Sequence, residues 1–276
     1  MSSSLQTKLT LHNGVEIPYI GLGVYKMEDK AETEAAVQEA LKIGYRSIDT
    51  ASFYQNEDSV GNAIKNASIK REDIFVTTKV WNSEQGYDET LAAFDSSLKK
   101  LQMDYIDLYL VHWPVKEKYL DTWRALERLY NEGVVRAIGV SNFHIHHLET
   151  LFAKANEKPV LNQVELHPLL SQVPLRAFCT EHQIAVEAWS PLARGRILKE
   201  SILNDIAKKH GKTPAQVILR WHLQHHIIVI PKSVRAERIQ ENADLFDFSL
   251  SKEEMKQIDA LNKDERYGKD PDYIDF

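Results

Sequence analysis

Ile74-Phe-Val-Thr-Thr-Lys79, then Leu91, Phe94, Leu98 and Leu101, then Ile106-Asp-Leu-Tyr-Leu-Val-His112 read as strand, helix and strand. The two outer runs are short, apolar and bounded by turns, as strands covered on both faces are. The middle residues recur every three or four positions, which lays one apolar stripe along a helix. That order is the parallel βαβ unit. Similar strand-like runs lie on either side: Tyr19 to Val24, Ser47 to Asp49, Val135 to Val140, Leu161 to Glu165, Ile184 to Trp189 and Ile227 to Ile230. With the first two they make eight, and amphipathic stretches such as Trp123, Leu126 and Tyr130 lie between them.

Eight such units close into an α/β (β/α)8 TIM barrel, which takes roughly 250 residues. The chain has 276 and no low-complexity linker, so residues 1–276 are expected to form one domain. A doubly wound open sheet competes with this reading. Its dinucleotide loop is missing, because Gly21-Leu-Gly23 continues as Val-Tyr-Lys with no third glycine opening a helix. Ahead of the first run, Lys8-Leu-Thr-Leu11, Asn13-Gly14 and Val15-Glu-Ile-Pro18 predict a β-hairpin, expected to close the barrel bottom.

Composition narrows the function classes. A net charge of −6 without a basic run speaks against nucleic acid and anionic membranes as partners. The apolar fraction of 43% is ordinary for a folded domain. No run approaches the ~20 apolar residues of a membrane span, and Met1 to Leu5 lacks a signal-peptide pattern. The one cysteine, Cys179, has no internal partner and lies in a helix-like stretch as a small core residue, which fits a reducing cytoplasm. A monomer is expected, since no long apolar surface stripe is evident.

Barrel active sites collect at the C-terminal ends of the strands. There the sequence puts Asp49, Tyr54 just after it, Lys79 and His112, delivered by three neighbouring strands. Singly, each has a structural explanation as a helix cap, a packed ring or a paired charge. Together they suit proton donation to a carbonyl oxygen while hydride reaches its carbon. Lys79 at about 4 Å would lower the Tyr54 phenol by up to roughly three units, towards the operating pH. Asp49 would keep Lys79 charged, and His112 would orient the carbonyl. A metal-hydrolysis reading lacks a second ligand at suitable spacing from His112. The cluster His144-Ile-His146-His147 is read as a solvated helix start, and no metal is expected.

The stretch Gly44-Tyr-Arg-Ser-Ile-Asp49-Thr-Ala-Ser-Phe-Tyr54-Gln-Asn-Glu57 resembles the aldo-keto reductase signature. So do Lys79-Val-Trp81, Asp107-Leu-Tyr-Leu-Val-His112-Trp-Pro114 and Gly139-Val-Ser-Asn-Phe143. Asn162-Gln-Val-Glu-Leu-His-Pro168, Trp189-Ser-Pro-Leu192 and Ile230-Pro-Lys-Ser233 with Arg238 and Asn242 continue the likeness in register over nearly the whole chain. The resemblance implies an NADPH-dependent reductase with Asp49, Tyr54, Lys79 and His112 as catalytic group and Tyr54 as general acid. It implies that Ser141, Asn142 and Gln163 bind the nicotinamide carboxamide, that Trp189 stacks on the ring, and that Ser190 and Leu192 line the pyrophosphate. Lys232, Ser233 and Arg238 would hold the 2′-phosphate, with Ser233 at a helix start, and Glu241 and Asn242 would touch the adenine. Tyr25, Trp81 and Trp113 would wall the substrate site.

Tyr25 and Arg194 depart from residues common elsewhere in the family. The loop from Trp113 to Tyr119 and the tail after Leu261 are short. The chain is similar to the compact bacterial branch with glyoxal, methylglyoxal and diketogulonate reductases, and an open site for small carbonyls is expected. Two rival functions are a regulatory subunit that keeps the fold without catalysis, and a barrel aldolase or isomerase with Lys79 as Schiff base.

Overall fold

The structure, a computed structural model, describes residues 4–274. An antiparallel hairpin comes first, β1 (Lys8–Thr10) and β2 (Glu16–Pro18). Then strands and helices alternate: β3 (Leu22–Gly23), α1 (Lys30–Ile43), β4 (Ser47–Asp49), α2 (Glu57–Lys65), β5 (Phe75–Val80), α3 (Tyr87–Leu101), β6 (Ile106–Val111) and α4 (Tyr119–Asn131). There follow β7 (Val135–Ser141), α5 (Ile145–Phe152), β8 (Leu161–Glu165), α6 (Val173–Glu181), β9 (Ala185–Trp189), α7 (Ser201–His210), α8 (Pro214–Gln224), β10 (Ile228–Val229), α9 (Ala236–Ala243) and α10 (Lys252–Asp259).

The eight strands β3 to β10 pair in sequence order, every pair parallel. The sheet closes on itself: Gly21 N donates to Val229 O at 2.9 Å, and Val229 N donates to Tyr19 O at 3.0 Å. This is the (β/α)8 barrel. The ladder at this seam is shorter than the sequence suggests, because between Tyr19 and Val24 only Leu22–Gly23 form a strand and Ile20 makes an isolated bridge.

Alternation along each strand sorts the side chains. Val76 and Val80 of β5 face the helix layer and join its large apolar cluster. Phe75 faces the lumen with Leu108, Leu110, Leu161 and Ile228, where Leu11 and Ile17 of the hairpin complete a second cluster. The hairpin thus seals the end of the barrel opposite the strand C-termini. Its turn needs φ +85° at Gly14, which a residue without Cβ adopts freely.

Helix ends follow the sequence closely. Asp29 accepts from Glu32 N at 2.8 Å to cap α1, and Thr213 with Gln216 and Ser251 with Glu254 form capping boxes on α8 and α10. One expected helix start shifts. Ser233 Oγ accepts from Arg235 N at 3.1 Å in a local turn, so α9 opens at Ala236 and Ser233 lies outside it. Cys179 is fully buried in α6, where burial pushes its thiol up to about 12 and leaves it inert at neutral pH. No helix among the described residues is long and apolar enough to cross a membrane.

Candidate active site

Three consecutive strands bring the proposed catalytic residues to one rim. Asp49 ends β4, Lys79 lies in β5 and His112 follows β6, while Tyr54 comes from a short turn of 3-10 helix after β4. Lys79 is 0% exposed. Its Nζ donates to Asp49 Oδ1 at 2.7 Å, to Thr50 O at 2.9 Å and to Tyr54 Oη at 3.3 Å. An ammonium has three hydrogens and no acceptor, so these contacts use it completely. Tyr54 Oη must therefore accept from Lys79, which leaves its own O–H to donate elsewhere. The phenol and the His112 ring meet edge to face, with centroids 5.7 Å apart, on the wall of one cleft.

Burial governs the electrostatics. It works against the Lys79 charge, but Asp49 and the other oxygens around the ammonium outweigh it and raise the lysine above its ordinary value. Burial also pushes Asp49 up, against the pull of Lys79 and the Gln163 hydrogen bond. Tyr54 corrects the sequence expectation. Lys79 does pull its phenol down, but burial pushes harder and Asp49 opposes the lysine, so the group ends at about 12. The phenol is therefore a fully protonated acid at neutral pH rather than one poised to ionise. Burial, helped by Lys79, holds His112 well below its usual 6.5, so the imidazole is neutral.

The cleft has a volume of about 310 Å³. Its wall carries Asp49, Tyr54, His112, Ser141, Asn142, Gln163, Trp189, Ser190 and Lys232, together with Tyr25, Trp81, Trp113 and Arg194. Leu192, Ser233, Arg238, Glu241 and Asn242 lie off that wall, on the segments leading away past Ser190 and Lys232. Lys232 and Arg238 are exposed, whereas Ser233 and Asn242 are buried. Glu241 accepts from Thr213 Oγ1 at 2.8 Å.

The donor set fits an amide-bearing aromatic ligand with a phosphate tail. Gln163 Nε2 donates to Asp49 Oδ2 at 2.8 Å and to Glu187 Oε1, so both its hydrogens are committed and its oxygen remains for a ligand donor. Asn142 accepts from Trp189 Nε1 at 2.8 Å and donates to His112 O at 3.0 Å, which fixes the indole beside Gln163. The cations Arg194 and Lys232 stand at the same cleft, as phosphate requires.

The tail adds a wall to the site that the sequence reading did not include. Tyr267 N and Gly268 N donate to the buried Glu165 carboxylate at 2.8 and 2.7 Å, which draws the chain across the barrel mouth. Gly268 and Lys269 then line the cleft. A short tail reaches the cleft because a strand-end carboxylate anchors its backbone. The histidine cluster is likewise more than a solvated helix start. His144 lies 3.2 Å from Asp270, and His146 2.9 Å from Asp272. These residues and His147 are grouped closely enough to hold a metal ion. However, His147 Nδ1 accepts from His144 N at 3.1 Å. That puts its proton on Nε2, facing Asp272, so the ring offers a hydrogen there rather than a lone pair. Through these contacts the cluster also ties the tail to the start of α5.

Gly268 permits this path. A Cβ there would come within 2.4 Å of the Trp189 ring and 2.8 Å of Glu165 Oε2. Gly268→Ala is expected to lift the tail from Trp189 and red-shift the tryptophan emission without unfolding the barrel. An unchanged spectrum would show that the tail does not bear on Trp189.

Phe53 was legible but overlooked: it neighbours Tyr54 and stacks on Trp81 with centroids 3.8 Å apart. Glu187 left a signal too, as an acid inside an apolar strand run. Gly268 and Lys269 left none.

Comparisons with known proteins accord with this geometry. The sequence model of the Aldo/keto reductase family matches residues 19–263. The glyoxal reductase of Bacillus subtilis (strain 168) is 58% identical over 276 residues, 100% of both chains. Methylglyoxal reductase DkgA of Escherichia coli (strain K12) is 48% identical over 270 residues, 96% of this chain and 97% of that one. Among solved structures, Gox0644 superposes with a TM-score of 0.94 at 46% identity, covering 98% of this chain and 99% of that one. A mutant of Gox0644 has been crystallised in complex with NADPH.

Proposed function

The chain belongs to the aldo/keto reductase family, and from that premise we propose that it reduces small aldehydes and ketones to alcohols with NADPH, Tyr54 delivering the proton. The observation that carries the reading is the direction of the Lys79–Tyr54 hydrogen bond: the lysine can only donate, so the phenol proton is free for a substrate oxygen. NADPH, when bound, supplies the hydride to the carbonyl carbon. An alkoxide is a far stronger base than a phenolate, so a phenol at about 12 still protonates it readily. His112, neutral, orients the carbonyl by a hydrogen bond. Lys79 stays charged and steadies the phenolate that proton transfer leaves. Its charge and its three occupied hydrogens disfavour the Schiff-base alternative, which requires a free amine.

Ser141, Asn142 and Gln163 would hold the carboxamide, Trp189 the ring face, Ser190 and Leu192 the pyrophosphate, and Lys232, Ser233 and Arg238 the 2′-phosphate, with Glu241 and Asn242 at the adenine. Tyr25, Trp81 and Trp113 wall the substrate side, with Phe53 stacked on Trp81. The cleft of about 310 Å³ has to take the nicotinamide as well, and what remains suits small carbonyls such as methylglyoxal or glyoxal. Relatives named for reducing both compounds support that choice. We take the enzyme to be a cytoplasmic monomer of one domain, residues 1–276, acting on a small molecule.

The test follows NADPH absorbance with methylglyoxal and glyoxal from pH 5.5 to 8, with NADH in parallel. Turnover with NADPH is expected, and kcat should show no inflection near pH 6.5, because His112 stays neutral in the fold. The sign for stability is opposite to that of a paired histidine. The unfolded chain takes up a proton at about 6.5 that the folded chain refuses, so stability is complete above that pH. Below it, this group costs about 1.4 kcal/mol per pH unit. Tight NADPH binding without turnover of any carbonyl would favour a regulatory subunit instead.

A further inference from the structure

Glu187 lies in β9 opposite Gln163 of β8, and both side chains point into the lumen beneath the cleft. It is 1% exposed, in a layer whose β10 neighbour is the apolar Ile228. A carboxyl in such a place needs a reason, because burying one without compensation is costly. Its one described partner is Gln163 Nε2, at 2.5 Å, and that nitrogen's other hydrogen goes to Asp49 Oδ2. Contacts therefore run without a gap from Glu187 through Gln163, Asp49 and Lys79 to Tyr54.

We propose that Glu187 is a positioning residue of this site, holding the Gln163 amide in register with Asp49 so that only the amide oxygen faces the cleft. The proposal rests on the carbonyl-reducing function above. An amide carries its oxygen and nitrogen on one carbon, so its orientation is decided by what surrounds it. With two carboxyl oxygens behind Gln163, its nitrogen is drawn inward and its acceptor outward. Asp49 alone would hold one hydrogen and leave the amide plane free to turn about that single contact.

The same residue ties the site to pH. The charged groups acting on Glu187 are Asp49 from β4 and Lys79 from β5; β8 presents the uncharged Gln163, and β10 presents Ile228. Burial first, and then Asp49, raise the Glu187 carboxyl to about 8, against Gln163 and Lys79. At neutral pH Glu187 is therefore an acid, and the lumen holds one balanced pair, Asp49 and Lys79. Above that range a second buried negative charge offsets the Lys79 field and makes Tyr54 a poorer proton donor.

Two variants test this, with NADPH affinity read by tryptophan quenching and kcat read from pH 6 to 9. Glu187→Gln keeps an acceptor for Gln163 but cannot ionise. It is expected to bind NADPH within about two-fold of wild type and to lose the fall in kcat that wild type shows near pH 8. Glu187→Leu removes the acceptor and is expected to bind NADPH about ten-fold more weakly at every pH. Leucine binding as tightly as wild type would overturn the positioning role, and so would glutamine binding as weakly as leucine. Coincident pH profiles for wild type and Glu187→Gln would overturn the link to pH, even if the leucine variant does not fold. Wild type that binds NADPH but reduces nothing refutes the function above, while the affinity comparison still decides the positioning role. Wild type that fails to bind NADPH overturns both.

Discussion

Tyr54→Phe is expected to lower kcat for carbonyl reduction by about 10²–10⁴-fold while leaving NADPH affinity within about two-fold. The substitution removes one oxygen from a ring already packed against its neighbours, so the cleft wall keeps its shape. What disappears is the proton donor, whose hydroxyl is the only part of Tyr54 that Lys79 reaches through a hydrogen bond. Steady-state kinetics with methylglyoxal, beside a fluorescence titration with NADPH, would measure both effects. A loss of affinity matching the loss of kcat would mean that the ring supports the cofactor site rather than the proton transfer. A variant as fast as wild type would remove Tyr54 from the mechanism. Because the phenol stays protonated to about 12, wild type should not gain or lose its acid through the titration of Tyr54 itself between pH 6 and 9.

The second large effect is on stability. Lys79 and Asp49 are paired at 2.7 Å, and both are buried. Removing one partner of a buried pair leaves the other charge uncompensated, at a cost of about 3–5 kcal/mol. Lys79→Met is expected to destabilise the protein by that amount in urea unfolding at pH 7. The double variant Asp49→Asn with Lys79→Met removes the stranded charge as well and should recover about 1–3 kcal/mol of it. In Lys79→Met the folded-state Asp49 is raised far above its unfolded value. The deficit is therefore small below about pH 4 and grows as pH rises towards the folded value. A double variant no more stable than Lys79→Met would show that the stranded Asp49 charge is not what destabilises the single variant. Activity should be lost in both variants, so the unfolding curve rather than the assay separates them.

Much of the site could be read in the sequence because a barrel converts strand ends into neighbours. Once eight strand-like runs are placed in order, Asp49, Lys79 and His112 fall on one rim through strand polarity alone. Tyr54 follows because it is five residues beyond Asp49 in the same loop. The lumen and helix faces of β5 follow from two-residue alternation, and Asp29, Thr213 and Ser251 cap their helices through contacts only three residues long. Local pattern was sufficient in each case, because the interaction involved spans few residues or is imposed by the repeat.

Other features depend on residues far apart in the chain. Glu165 and Gly268 are 103 residues apart, and no local signal links a strand-end carboxylate to a tail backbone N–H. The tail's course over the cleft was therefore invisible. The Tyr54 phenol was misjudged for a related reason: charge proximity can be guessed from a motif, but desolvation depends on every atom packed around the group. Glu187 shows both halves of the matter. Its presence in an apolar strand was legible, but the direction in which it holds Gln163 required the register of β8 against β9. Hydrophobic period and strand polarity are local and repeated, so the barrel, the order of its strands and the residue types at its rim can be read along the chain. Which atoms donate and which accept, how far burial moves each proton, and what the tail adds to the cleft wall emerge only from the folded arrangement. Those depend on the summed surroundings of each group, which the chain assembles from distant parts.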